Sequence, residues 1–79
     1  MSHSDASPVG LTGRIVTATR GAGGAGEVLL HIRGGTETFL ARSDEPLAVG
    51  ESVIVVEATG PRTVVVVPWT DPTEGILNG

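Results

Sequence analysis

The chain has 79 residues, a length that makes one small domain without volume for a deep cleft between lobes. It contains no cysteine, and its five basic residues are all arginine, which excludes disulfides, thiolate nucleophiles, cysteine-based metal sites, lysine-linked cofactors and any Ser–Lys dyad. Nine acidic residues set the net charge at −4, the wrong sign for a protein living on nucleic-acid phosphate.

Val (11), Thr (9) and Ile (4) fill 24 positions, and twelve glycines punctuate the chain. β-Branched residues suit a pleated, half-buried surface, and glycines at short intervals suit strands joined by tight turns. No segment of helical length carries the i, i+3, i+4, i+7 apolar spacing. The composition predicts an all-β fold.

Residues 1–8 are predicted to form a flexible tail. They lack the basic and apolar regions of a signal peptide. The barrel domain is expected over residues 9–69. Its first strand is predicted over Leu11–Arg20 and ends in the connection Gly21-Ala22-Gly23-Gly24-Ala25-Gly26. That connection matches G-x-G-x-x-G, but a dinucleotide site needs a helix after the last glycine. Here Glu27-Val28-Leu29-Leu30-His31-Ile32 reads as a strand, and no Lys follows the glycines as a P-loop requires. A plain hairpin connection is the reading that remains.

The second strand is predicted over Glu27–Arg33, with Gly34-Gly35 as a two-residue hairpin turn and a third strand over Thr36–Ser43. This register puts Leu30 opposite Phe39 and Val28 opposite Ala41 on a core face. Glu27 then meets Arg42 as an ion pair, Leu29 meets Leu40 and His31 meets Thr38 on the other face. A turn of the wrong parity would exchange the two faces. The Leu29/Leu40 pair is odd on a polar face. Either barrel curvature or the glycine connection covers it, or it belongs to an exposed docking patch with Arg42.

Asp44–Gly50 is predicted to be a loop, because Pro46 cannot donate a ladder hydrogen bond. The fourth strand is expected over Ser52–Ala58. Thr59-Gly60-Pro61-Arg62 forms the next turn, and the fifth strand spans Thr63–Pro68. Apolar residues on both faces of these last two strands suggest closure, since a flat sheet would leave hydrophobic edges. A five-stranded Greek-key barrel of the OB type fits best, with an SH3-like barrel as the alternative. Thr70–Gly79 is predicted to be loosely ordered.

The chemistry-bearing residues form no evident site. His31 has no second ligand at metal-binding spacing, His3 lies in the tail, and Asp44, Glu45, Glu37, Glu51 and Glu57 read as solvated charge. No catalytic residue, metal or cofactor is expected. The runs Val53–Val56 and Val64–Val67 are far shorter than the roughly 20 residues of a membrane span, so a soluble, cytoplasmic chain is expected. A single-stranded nucleic-acid binder using Arg33, Arg42 and Trp69 is the alternative function. Its weakness is a supply of only two aromatics, Phe39 and Trp69.

Gly50-Glu51-Ser52-Val53-Ile54-Val55-Val56-Glu57-Ala58-Thr59-Gly60, followed by Val64, Val66 and Pro68, resembles the closing strands of the NfeD-like C-terminal domain family. Gly10-Leu11-Thr12-Gly13 with Ile15-Val16 resembles its opening strand. Gly26-Glu27-Val28 and Ala41-Arg42-Ser43 resemble the start of its second strand and the end of its third. The resemblance runs from about Val9 to Trp69. It implies an OB-fold barrel that is not catalytic and works beside stomatin- or flotillin-type membrane scaffold proteins. Some longer relatives add a Ser–Lys protease, which a chain without lysine cannot supply. The chain departs from the family in showing no membrane-spanning run and in its glycine-rich Gly21–Gly26 connection.

These readings converge on a non-enzymatic protein-interaction module, peripheral to a membrane through its partner, with Leu29, Leu40 and Arg42 as contact residues. Homo-oligomerisation is also expected, through edge pairing of the Val-rich fourth and fifth strands.

Overall fold

In the computed structural model, which describes residues 7–32 and 34–70, every regular element is a strand. In chain order they are β1 (Thr12–Thr17), β2 (Thr19–Arg20), β3 (Gly26–Ile32), β4 (Gly35–Arg42), β5 (Pro46–Leu47), β6 (Ser52–Gly60) and β7 (Thr63–Pro68). The five long strands close into a barrel in the order β1-β3-β4-β7-β6, with β6 returning to β1. Every barrel seam is antiparallel except β4–β7, which is parallel. This is the OB arrangement, and the SH3-like alternative is set aside. The tails expected over 1–8 and 70–79 lie outside the described residues except at Ser7, Pro8 and Thr70.

Alternation decides what goes inside. Val28 and Leu30 of β3, Phe39 and Ala41 of β4, Val53 and Val55 of β6, and Val64 and Val66 of β7 all point inward. Ile15 and Leu47 complete the core, and eight of its side chains are essentially without solvent contact. The expected core face of the β3–β4 hairpin is therefore the observed one.

Its register, however, lies two residues from the expected one. Ile32 pairs with Gly35 and His31 with Thr36, and Val28 sits opposite Phe39. Only Gly34 adopts a positive φ, +86°, while Gly35 is ordinary strand. A shift of two preserves parity, so the faces survive while the partners change. Leu29 pairs with Thr38 and Leu40 with Glu27. The expected Glu27–Arg42 ion pair does not form. Instead Glu27 Oε1 accepts the Thr17 hydroxyl at 2.6 Å.

The first strand also differs from expectation. A bulge between Ile15 and Thr17 turns the chain, and after Ala18 it leaves the barrel to form β2. The segment expected as a loop contributes β5, and Thr19 and Arg20 pair with Leu47 and Pro46. Pro46 is tolerated because this ladder is two residues long and lies outside the barrel.

A chain of buried hydroxyls fixes this accessory ladder. Thr19 Oγ1 lies 2.8 Å from Ser43 Oγ, Ser43 Oγ donates to the Glu45 carbonyl at 2.7 Å, and the Leu47 amide donates to Thr19 Oγ1 at 2.9 Å. Thr19 Oγ1 also lies 3.3 Å from the Glu45 carbonyl, so the two hydroxyls share that acceptor and one bond between themselves. Thr19→Val keeps the shape but strands the Leu47 N–H and removes the hydroxyl partner of Ser43. The expected cost is about 1–3 kcal/mol, read as a lower midpoint in thermal unfolding, with Thr19→Ser close to wild type.

The remaining seam is closed by the turn between β6 and β7. The Leu40 amide donates to the Arg62 carbonyl at 2.8 Å. The Arg62 guanidinium donates to the Thr38 carbonyl at 3.2 Å, meets Glu37 Oε1 at 3.4 Å and lies 5.2 Å from the centre of the Phe39 ring. It takes the place of a strand neighbour where β4 runs past the end of β7.

Candidate interaction surface

With the interior filled by aliphatic side chains and Phe39, the chemistry of this barrel lies on its outside. On β3 the outward positions are Glu27, Leu29 and His31, and on β4 they are Thr38, Leu40 and Arg42. The expected contact residues Leu29, Leu40 and Arg42 therefore share one outer face. Leu29 is half-buried between Arg14 of β1 and Thr38 of β4. Leu40 keeps 48% of its surface exposed, between Glu27 and Thr63. Arg42 follows on the same row, beside Val65 of β7. Leu29 and Leu40 are diagonal neighbours, close enough for one apolar contact across the strands.

The face continues onto β7 and β6, which the sequence reading missed. Val65 and Val67 point outward, Val67 pairs with Ile54, and Trp69 follows on the same side, its backbone N–H donating a hydrogen bond to the Ser52 carbonyl at 2.9 Å. Val56, Val67 and Trp69 are 48%, 39% and 40% exposed. Apolar residues on both faces of these strands suggest closure from sequence. Closure removes edges but leaves the outer face in water, so these side chains remain unexplained by the barrel itself. β6 is paired with β1 only over Ser52–Val55 and β7 with β4 only over Thr63–Val65, which confines the edge pairing expected from sequence to Val56–Gly60 and Val66–Pro68.

Of the residues of the nucleic-acid alternative, the structure describes Arg42 and Trp69. Arg33 lies outside the described residues. Arg42 lies beside Val65, and Trp69 is four residues further along, about 13 Å away at strand rise. Phe39 is buried beneath Arg62 and cannot stack on a base.

The glycine connection is a compact turn. Arg20 N donates to the Gly24 carbonyl at 3.0 Å and Gly24 N to the Gly21 carbonyl at 3.3 Å. Gly21 has φ +74°, and a Cβ there would press on the Asp44 carbonyl at 3.0 Å. A shallow pocket of about 220 Å³ lies between this turn and Arg42, Asp44 and Val65. His31 is exposed, and among the described residues no three His, Cys, Asp or Glu side chains gather as metal ligands.

The pattern of the NfeD C-terminal domain matches residues 12–67. A solved structure, the solution structure of the soluble domain of the NfeD protein YuaF from Bacillus subtilis, superposes with a TM-score of 0.64 at 31% identity. The alignment covers 75% of this chain and 70% of that one. No curated protein matches. Among the described residues, no helix is long and apolar enough to cross a membrane.

Proposed function

The chain belongs to the NfeD C-terminal domain family, and we propose that it is a non-enzymatic protein-interaction module whose outer barrel face docks a stomatin- or flotillin-type membrane scaffold protein. In this reading the chain is cytoplasmic and reaches the membrane through that partner. The observation that carries the reading is the exposed row of Leu40 and Arg42 beside Leu29. An apolar centre with a charged rim is the usual composition of a transient interface. The apolar part supplies affinity and the charge sets orientation.

Binding of a stomatin- or flotillin-type protein to the immobilised chain tests this. Leu40→Glu and Arg42→Glu are each expected to weaken capture about tenfold or more. Affinity should change little between about 50 and 200 mM salt, whereas single-strand phosphate contacts by both Arg33 and Arg42 would cost about sevenfold over that range. Capture indifferent to both substitutions contradicts the proposal. So does a steep salt slope accompanied by binding to single-stranded oligonucleotides.

A further inference from the structure

The largest feature unused by this reading is the apolar outside of β7 and its neighbours. Cross-strand register sets its layout. One row runs Arg42–Val65–Glu57 across β4, β7 and β6, and the next runs Val67–Ile54–Thr12 across β7, β6 and β1. Trp69 continues the β7 line beyond Val67. The first row is a cation and an anion placed symmetrically about a valine. Among the described residues the only ion pair joins Arg62 and Glu37, so Arg42 and Glu57 are both available.

We infer that this face packs against the same face of a second copy of the chain, about a two-fold axis running along β7. Such an axis exchanges the β4 and β6 flanks. Arg42 then meets Glu57 of the second copy and Glu57 meets its Arg42, so one row supplies two reciprocal ion pairs. Val65 and Val67 stack on their own counterparts along the axis. Sheets packed face to face lie about 10 Å apart, a gap that Arg and Glu side chains span from opposite sides. An isologous interface requires a patch that complements itself, and a single charge of either sign beside Val65 would not do so. The inference commits to a face-to-face dimer that shares Arg42 with the proposed docking row but uses neither Leu29 nor Leu40, so Val67→Asp tests it apart from docking.

The face is narrow, so the dimer belongs to the small, concentration-dependent class of interfaces. Light scattering of the full chain from about 10 µM to about 1 mM should show the mass rising from 8.0 kDa towards twice that value. Val67→Asp, at an exposed position that leaves the core intact, should hold the chain monomeric with an unchanged melting midpoint. Arg42→Glu and Glu57→Arg should each weaken the dimer about tenfold or more, and the double exchange should restore it.

A chain that stays monomeric throughout overturns the inference, as does a dimer indifferent to Val67→Asp or one the double exchange fails to rescue. A monomer whose Val65 and Val67 resonances shift when residues 71–79 are deleted would assign the face to the chain's own terminus, and would equally overturn it. Capture of a scaffold protein by the Val67→Asp variant separates this outcome from the docking proposal, which needs Leu40 rather than Val67.

Discussion

Replacing Gly26 with alanine is expected to leave the chain largely unfolded at 25 °C. Gly26 opens β3 on the inward side and is buried opposite Ala41. A Cβ there would collide with the Thr17 carbonyl oxygen and lie 2.6 Å from the Ala18 carbonyl oxygen. Both obstacles are backbone, held where β1 bulges and turns out of the barrel, so no side-chain rotation can make room. Overpacking commonly costs about 1–3 kcal/mol where side chains can yield, and a double backbone collision exceeds that range. A chain of this length has about 4–12 kcal/mol of total stability to lose. Gly13→Ala should behave similarly, since its Cβ would strike the Leu29 carbonyl and meet Leu30 Cδ2 at 3.0 Å. Gly35→Ala is the control, with nothing within 4 Å of the added carbon and no positive φ, and its effect should stay within about 0.5 kcal/mol. Circular dichroism and denaturant unfolding of the three variants check the order.

Leu30→Ala carries the second large effect. Leu30 has no solvent exposure and pairs with Gly13, the one β1 position whose missing side chain leaves space for it. The leucine thus occupies volume that an ordinary neighbour would have supplied. Truncation removes its transfer free energy and leaves a cavity that backbone at Gly13 cannot fill. Leucine-to-alanine changes at such sites cost about 2–5 kcal/mol, a large share of the total here. Leu40→Ala, on the outer face, is expected to cost under about 1 kcal/mol. Parallel denaturant titrations separate the two, and equal midpoints would show that the barrel interior does not dominate stability.

These contrasts show what the linear sequence holds. The faces of β3 and β4 follow from a period of two, so Val28, Leu30, Phe39 and Ala41 are legible as core and Leu29, Leu40 and Arg42 as outside. The register was not legible, because two consecutive glycines announce a turn without saying which one bears the positive φ. It is Gly34 alone. The β2–β5 ladder has two residues per strand, too few for any periodicity. Its cause is the hydroxyl chain from Thr19 to Ser43, made between positions 24 residues apart.

The extent of the outer face was hidden for a different reason. Leu40 and Arg42 join Thr63 and Val65 only through the parallel β4–β7 seam, and no local signal encodes a parallel partner. The runs Val53–Val56 and Val64–Val67 did announce apolar residues on both sides. Their meaning depended on knowing that a closed barrel shelters only one of them.

The central claim is that this domain works through the outside of its barrel. Its most direct test is amide and methyl chemical-shift mapping of the isotope-labelled chain during titration with a stomatin- or flotillin-type protein. The account predicts saturable changes concentrated at Leu29, Leu40 and Arg42, with Val28, Leu30 and Val53 on the inward side nearly still. Changes centred instead on the Gly21–Ala25 turn and its pocket, or no change at saturating partner, would contradict it.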